Sequence, residues 1–474
     1  MDFTYGLAVL YSFLIIFEGI IIQCQGGNEF FSNGSNDAPI NDEPFLPNDL
    51  IEAIFGKTDY ITIKRAVLLK MIDENAIVMS KILQDNIILV KPPEFVGRIR
   101  EYYEDDNLFL RIGVYQELIS FFNKFGNRVK KIEYWYSAEI SDVRRNEINQ
   151  KIIKKCAKNL EELRINVEYF EGFWEDILDR EIKTIFPEVK KFQIKGSNIQ
   201  NKFEFNLIFP KLETFELFGN VNDVNCLENV KGLKELTLFT NSIEEDQFDH
   251  IFANNKNMTM ICLKRPNRTD TIHSIAKHLT KLKTLEVDWP GENFLLRTND
   301  AAVQTKLSSV THFYITFDVM DERVLIEDLS FDMPHLKTLT LNGGRTDDRI
   351  VNFIKQFKKL EIVILFANEC NVIECIEKLK HIKEFTLYYF EKRFDAVKKM
   401  FKNFDKKSKL QTLKFVYFRK LLYQTYEDTM EEFNLHLKEI MKPTWKLSQE
   451  EQIGTGKMYL MFRREPCTYN YCQN

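Results

Sequence analysis

The sequence predicts an α/β fold made of about twelve short repeats, and three observations support this prediction. The pattern apolar-x-x-apolar-x-apolar recurs along the chain at intervals of 21 to 31 residues. Between its copies, the apolar residues change to the spacing of a helix that buries one face. The chain of 474 residues also contains 40 phenylalanines but only 18 glycines and 12 prolines, which favours repeated packing units over long loops.

The recurring pattern predicts one short strand per copy, because apolar and polar residues alternate within it. The clearest copies are residues 233–238 (Leu-Lys-Glu-Leu-Thr-Leu) and 336–341 (Leu-Lys-Thr-Leu-Thr-Leu). The copies begin at Val129, Leu160, Val189, Leu212, Leu233, Met258, Leu282, Val310, Leu336, Leu360, Ile382 and Leu410.

Several segments between the strands predict helices. Their apolar residues lie three or four positions apart, as in Phe248, Ile251 and Phe252, in Ile272, Ile275, Ala276 and Leu279, and in Ile350, Phe353, Ile354 and Phe357. One strand–helix unit can bury its apolar side only against neighbouring units. The stack is therefore expected to share one continuous core.

Repeats of this length and pattern resemble leucine-rich repeats. The consensus of that family also places Asn or Cys eight residues after the first Leu, and Asn220, Asn241 and Asn368 occupy this position. The resemblance implies that residues 91–420 form a leucine-rich-repeat solenoid of about twelve irregular strand–helix repeats.

The segment before the repeats, residues 45–90, is expected to form a small all-helical module. Its opening, Phe-Leu-Pro-Asn-Asp-Leu-Ile-Glu-Ala-Ile-Phe at 45–55, resembles the opening of an F-box, and residues 63–69 resemble the later basic and aliphatic run of that family. Where F-boxes usually have Cys-Lys-x-Trp, this chain has Lys-Met-Ile-Asp at 70–73. The resemblance implies that a Skp-type adaptor protein binds Leu46, Pro47, Leu50, Ile51 and Ile54. Alternatively, these residues pack on the first repeat as a cap.

The first residues predict a secretory signal peptide at 1–26, followed by a flexible lead-in at 27–44. Residues 7–22 are mainly apolar but too short for a typical membrane span, and Cys24-Gln25-Gly26 provides a small-x-small cleavage pattern. A membrane anchor or a buried helix is the alternative. We expect a secreted protein with no stable membrane insertion.

The order of signal peptide, F-box and leucine-rich repeats resembles the secreted salivary effectors of gall-forming flies. That resemblance implies a substrate-recognition adaptor of a Skp–cullin–F-box ubiquitin ligase, delivered into the cytoplasm or nucleus of a host cell. Two alternatives stay open at this point. One is an extracellular leucine-rich-repeat binding module that has no link to a ligase, and the other is an ordinary cytosolic F-box protein.

Strand residues on the other side of the predicted sheet are candidates for binding the unknown target protein, because Trp and Tyr carry much of the energy in protein interfaces. By alternation they share the concave face of the solenoid. They are Trp135, Phe218, Phe239, Tyr314, Ile362, Ile364, Phe366 and Tyr388. Phe218 and Phe239 occupy equivalent positions in neighbouring repeats, so their rings are expected to stack. The alternative is a ladder that only stabilises the sheet, or a face covered by the C-terminal tail.

The tail at 421–474 is expected to form a C-terminal helix and cap, since Met430, Phe433, Leu437 and Ile440 lie at helical spacing. Its Cys467 and Cys472 could form a disulfide, as could Cys370 and Cys375.

Several classes of chemistry find no support in the sequence. The net charge is −5, which gives no general attraction to nucleic acid. Residues 454–457 (Gly-Thr-Gly-Lys) lack the Ser or Thr that a phosphate loop requires, and no metal-binding or nucleophilic motif is present. We therefore expect a protein that is not an enzyme and holds no cofactor or metal. Asn33, Asn257 and Asn267 begin glycosylation sequons, whose use depends on passage through the secretory pathway.

Overall fold

Short alternating stretches of the sequence form the strands of the computed structural model. Each of the twelve copies of the repeat pattern contributes one strand, which begins two residues after the apolar residue that opens the copy. Leu233, for example, precedes the strand Glu235–Phe239, and Leu336 precedes Thr338–Asn342. These opening residues are at most 2 % exposed in all twelve copies. They anchor the start of each strand in the core.

The chain divides into two units, residues 1–47 and 48–474, and the described residues belong to the second. The structure describes residues 60–61, 87–90, 109–112, 115–136, 141–167, 186–196, 204–219, 224–239, 245–264, 270–289, 305–317, 331–342, 348–366, 379, 381–388, 409–418, 445–452 and 457–464.

Nineteen strands lie in the described part of the chain. They are β1 (Tyr60–Ile61), β2 (Ile87–Val90), β3 (Phe109–Ile112), β4 (Lys131–Tyr136), β5 (Glu162–Val167), β6 (Lys191–Lys195), β7 (Thr214–Phe218), β8 (Glu235–Phe239), β9 (Met260–Lys264), β10 (Thr284–Trp289), β11 (Thr305–Lys306), β12 (His312–Phe317), β13 (Phe331–Asp332), β14 (Thr338–Asn342), β15 (Ile362–Phe366), β16 (Glu384–Tyr388), β17 (Thr412–Phe418), β18 (Trp445–Gln452) and β19 (Lys457–Arg464).

Six α-helices lie in the same described segments of the chain. They are α1 (Tyr115–Phe125), α2 (Asp142–Lys151), α3 (Phe205–Ile208), α4 (Glu245–Asn254), α5 (Asp270–His278) and α6 (Asp348–Lys355). A π-helical turn, Ile152–Cys156, continues α2, and two 3-10 turns occupy Gly126–Arg128 and Asn225–Leu227. The sequence patterns at 248–252, 272–279 and 350–357 thus correspond to α4, α5 and α6. None of the described helices is long and apolar enough to cross a membrane.

Seventeen of the strands form one sheet, and β11 and β13 form a separate small parallel pair. From β4 to β17 the strands of the large sheet follow chain order, and every neighbouring pair is parallel. This arrangement confirms a mixed α/β fold with a long parallel sheet and one strand per repeat.

The side of the sheet that faces the helices forms the core. The second and fourth residues of the strands are buried there, such as Phe215 and Leu217 in β7, together with Phe248 and Ile251 of α4. Phenylalanines contact one another across successive units; the rings of Phe192, Phe205, Phe209 and Phe215 form one such group, with centroids 4.6 to 5.8 Å apart. The high phenylalanine content is thus explained in part by aromatic packing in this core.

A row of charged residues one position before the strands links neighbouring units. Glu213 forms an ion pair with Lys234 at 2.8 Å, and Glu361 forms one with Lys383 at 2.8 Å. In each pair, the backbone N–H of the lysine also donates to the carbonyl oxygen of the glutamate. Exposed ion pairs of this kind contribute little to the free energy of unfolding, because water and salt screen them.

The N-terminal part of the sheet differs from the predicted all-helical module at 45–90. Both β1 and β2 lie inside that range, and β2 is inserted between β3 and β4. All four residues of β2 are buried, from Ile87 at 2 % to Val90 at 3 % exposed. A strand that is buried on both faces is a continuous apolar run, and a buried helix can show the same run, so this pattern alone does not distinguish the two. The other residues of 45–90 lie outside the described residues.

The C-terminal tail contributes two strands that were not predicted. Strands β18 and β19 form an antiparallel hairpin, and β19 pairs with β17 along seven residues, from Thr412↔Arg463 to Phe418↔Lys457. The hairpin therefore extends the end of the sheet, while the predicted helical residues Met430 to Ile440 lie outside the described residues. Lys457 of the Gly-Thr-Gly-Lys stretch begins a strand, whereas a phosphate loop leads into a helix.

Candidate binding face

The first, third and fifth residues of the strands share one side of the sheet, here called the open face. In β7, β8 and β15 these residues are half-buried, whereas the second and fourth are buried. All eight predicted target-binding residues lie on the open face: Trp135, Phe218, Phe239, Tyr314, Ile362, Ile364, Phe366 and Tyr388. Their alternation was therefore interpreted correctly, and their contact with a target stays a prediction.

The C-terminal aromatic pair consists of Phe366 and Tyr388. These residues are directly opposite in β15 and β16, and their rings stack with centroids 4.1 Å apart and planes 12° apart. Ile364 and Ile362 continue the apolar surface along β15, half-buried like the rings. Tyr314 is 6.4 Å from Phe366, measured between ring centroids, and extends the patch toward β12.

The N-terminal aromatic pair consists of Phe218 and Phe239. Their ring centroids are 5.0 Å apart, but the planes are inclined by 46°, so the rings contact one another without stacking in parallel. The ammonium group of Lys195 lies 5.3 Å from the centroid of Phe218, a distance suited to a cation–π interaction.

A polar group, here called the central cluster, lies between the two aromatic pairs. It consists of Lys264, Glu286, Asp288, Tyr314 and Asn342. Lys264 Nζ donates to Glu286 and also to Asp288 Oδ1 at 3.1 Å, and it lies 4.8 Å from the centroid of the Tyr314 ring. Asn342 Nδ2 donates to the Tyr314 hydroxyl at 3.2 Å.

The electrostatics of the central cluster favour its charged state. Partial burial opposes the ammonium form of Lys264, but the hydrogen bond to Glu286 and the two nearby carboxylates raise its pKa above the usual range. Cys262 lies beside them, 5 % exposed, and burial together with Glu286 raises the pKa of its thiol. Lys264 therefore stays protonated at neutral pH, and Cys262 stays a neutral thiol.

The open face is chemically uneven. The described strands β14, β15 and β16 present nine residues to the open face, and Glu384 is the one charged residue among these nine. By contrast, β7 to β10 present Glu216, Glu235, Glu286 and Asp288 but one cation, Lys264. A region of the face with one charged residue thus adjoins a region that is rich in carboxylates.

At the other end of the face, the side chain of Trp135 packs against neighbouring residues of the sheet. It is half-buried, it packs on Ile87 and Leu89 of β2, and its indole N–H donates to Glu133 Oε1 at 2.9 Å. Asn166 Nδ2 donates to the same oxygen at 2.8 Å, so the buried carboxylate of Glu133 is satisfied. These contacts favour a packing role for Trp135 over the predicted role in target binding.

Sequence reasoning missed the central cluster because it considered only aromatic and aliphatic residues of the open face. The signal was present: Glu286 and Asp288 occupy the third and fifth positions of β10, and Lys264 occupies the fifth position of β9. The residues predicted to bind a Skp-type adaptor (Leu46, Pro47, Leu50, Ile51 and Ile54) lie outside the described residues, as do Asn220, Asn241 and Asn368. The described residues contain no group of three or more potential metal ligands.

Comparisons with known proteins give little information about the role of the open face. No protein-family model matches the chain, and no curated protein matches it. Among solved structures, the chain is similar to the crystal structure of the Rad7 and Elc1 complex in yeast, with 13 % sequence identity and a TM-score of 0.33. The similarity covers 72 % of this chain and 90 % of that chain. At this TM-score the likeness supports no conclusion on function.

Proposed function

We propose that the chain is the substrate-recognition adaptor of a Skp–cullin–F-box ubiquitin ligase, built as an F-box followed by leucine-rich repeats. In this proposal Leu46, Pro47, Leu50, Ile51 and Ile54 bind a Skp-type adaptor protein. The open face of the repeat sheet binds the target protein, which the ligase then modifies. The chain itself performs no chemistry.

The observation that carries the proposal is the open face. A parallel sheet with twelve consecutive repeat strands, from β4 to β17, presents a broad surface of half-buried aromatic and polar side chains. Such a surface suits protein recognition, because aromatic side chains supply large contact areas at low entropic cost. The link to a ligase rests on the resemblance of residues 45–69 to an F-box, and on its place directly before the repeats.

The proposal predicts that adaptor binding and target binding are separable. The double variant Leu46→Ala, Pro47→Ala should lose co-purification with a Skp-type adaptor, while the thermal unfolding midpoint of the repeats stays nearly unchanged. The matched control, Phe366→Ala with Tyr388→Ala, should keep adaptor binding. If the first variant loses repeat stability instead, residues 45–55 act as a cap and the chain is a binding module without a ligase. Normal adaptor binding by this variant would show that Leu46 and Pro47 do not form the adaptor surface.

We also propose that residues 1–26 direct secretion and that the adaptor acts after delivery into a host cell. The support is the mainly apolar run at 7–22 followed by Cys24-Gln25-Gly26. Expression in insect cells should yield protein in the medium with an N-terminus near Gly27. Protein that is retained in the cytosol and starts at Met1 would identify an ordinary cytosolic F-box protein instead.

A further inference from the structure

The open face carries an excess of negative charge at its middle. Lys264 is the one cation of the central cluster, and it faces two carboxylates, Glu286 and Asp288. Their side chains are 15 %, 24 % and 25 % exposed, so the group is partly shielded from water but still accessible. One ammonium group can neutralise only one of the two carboxylates. The cluster therefore has a net charge of −1.

Glu235, on the neighbouring strand β8, adds to this excess. In the described part of the chain, its carboxylate receives one polar contact, from Thr214 Oγ1 at 3.3 Å, and no ion pair. Glu216 differs, because Lys191 neutralises it at 2.7 Å. Among the described residues, the negative charges of Glu235, Glu286 and Asp288 thus exceed the neighbouring positive charge of Lys264 by two.

The central cluster lies between the two aromatic pairs. The N-terminal pair, Phe218 and Phe239, is on β7 and β8, and the C-terminal pair, Phe366 and Tyr388, is on β15 and β16. Neighbouring strands are about 4.8 Å apart, so β10 is about 10 Å from β8 and about 14 Å from β15. An extended peptide advances about 3.3 Å per residue and would cover these distances with about three and about four residues.

We propose that the open face binds an extended basic segment of its target protein, with a Lys or Arg side chain at the central cluster and an apolar side chain at each aromatic pair. The expected spacing is apolar-x-x-basic-x-x-x-apolar, in either chain direction. The cation completes the neutralisation of Glu286 and Asp288, and the apolar residues cover half-buried rings. This inference rests on the proposed role of the open face in target recognition.

A displayed library of random 12-residue peptides, selected on the purified full-length chain, tests the inference. Enriched peptides should carry Lys or Arg three residues from one apolar side chain and four residues from another. Enriched peptides with an acidic or uncharged residue at the middle position would contradict the proposal of a basic segment. If such peptides bind the Phe366→Ala variant more weakly, the open face still has its role in recognition. If no enriched peptide depends on the open face, both the inference and the recognition role fail.

The strongest selected peptide then measures the contribution of the carboxylates. Glu286→Gln together with Asp288→Asn should weaken its binding about five- to tenfold in fluorescence anisotropy. Glu235→Gln, which leaves Lys264 and its partners in place, should weaken binding about two- to fivefold and serves as the second variant if the double variant is unstable. The matched control is Glu188→Gln, which removes an exposed carboxylate from outside the open face and should bind like the wild type. Equal affinity of all these variants would contradict the inference.

Discussion

Phe366 and Tyr388 stack face to face across two neighbouring parallel strands, with ring centroids 4.1 Å apart and planes only 12° apart. The register places these residues directly opposite, so the stacking follows from the alignment of two consecutive repeats. The contact joins the two strands on the side of the sheet that faces away from the helices.

The first prediction concerns the energy of this ring contact. Phe366→Ala and Tyr388→Ala should each lower the free energy of unfolding. The decrease in the double variant should be smaller than the sum of the two single decreases by about 0.5–1.5 kcal/mol. Urea unfolding of the four proteins in this cycle measures the coupling. A cycle between Phe218 and Tyr388, whose strands are not neighbours, should show additive losses. Additivity in the Phe366 and Tyr388 cycle would contradict the stacking.

The second prediction concerns Asn255, which is 2 % exposed and joins two units of the stack. Its Oδ1 accepts from the Leu233 N–H at 2.8 Å, and its Nδ2 donates to the carbonyl oxygens of Val230 at 2.8 Å and Ile251 at 2.9 Å. Asn255→Ala should cost about 2–3 kcal/mol of the free energy of unfolding, because buried backbone groups lose their partner. The neighbouring exposed Asn254, which makes one bond to the Glu228 carbonyl oxygen, provides the control. Asn254→Ala should cost well under half as much, and equal costs would contradict the role of Asn255.

The third prediction distinguishes two reasons why a position requires glycine, namely limited space and a positive backbone φ. A Cβ atom at Gly126 would lie 2.6 Å from Lys155 Cβ in the π-helical turn, so Gly126→Ala should cost about 1–3 kcal/mol through overpacking. Gly232 has open space around it but a φ of +97°, so Gly232→Ala should cost about 1–2 kcal/mol through backbone strain alone. Asn tolerates that conformation better than Ala, and Gly232→Asn should recover stability in thermal unfolding whereas Gly126→Asn should not. Recovery at Gly126 would show that space is not limiting there.

The fourth prediction concerns the stability of the protein at low pH. The Asp249 carboxylate on α4 accepts from Ser274 Oγ at 2.7 Å, and it also accepts from Lys277 Nζ at 3.0 Å and His278 Nε2 at 2.8 Å on α5. The hydrogen bonds from Ser274 and Lys277, followed by that from His278, lower the pKa of Asp249 well below its ordinary value of 3.8. Because the folded pKa is depressed, this stabilisation is fully present above about pH 4 and is lost as the pH falls below it.

Asp249→Asn should therefore destabilise the protein at pH 7 by about 1 kcal/mol, a small value because the side chain is 37 % exposed and water screens it. The difference between variant and wild type should shrink as the pH falls below 4. Unfolding midpoints measured from pH 7 to pH 2.5 provide the comparison. A difference that stays constant over this range would exclude an ionised Asp249 as the cause.

The repeat sheet could be predicted from the sequence because each strand carries its own local signal. Buried residues such as Leu236 and Leu238 alternate with half-buried ones, and one apolar residue marks each start. The hairpin at β18 and β19 could not be predicted in this way, since Lys, Ser, Gln and Glu occupy most of β18 and give no apolar alternation. Its place in the sheet depends on pairing with β17, a contact that no local pattern encodes.

The candidate site was predictable only in part, for a related reason. Alternation assigned the aromatic residues to the correct side of the sheet. The environment of each residue depends on which strands are neighbours, and Trp135 shows this: the unexpected insertion of β2 beside β4 places Ile87 and Leu89 against its ring. The central cluster likewise exists because β9 and β10 align Lys264 with two carboxylates.

Hydrogen–deuterium exchange of the full-length chain, with and without a purified Skp-type adaptor, tests most directly the claim that adaptor and target bind separate surfaces. The account predicts slower exchange on adaptor binding within residues 45–55 and unchanged exchange in β15 and β16. Protection of β15 and β16 by the adaptor, or the absence of any complex, would contradict it.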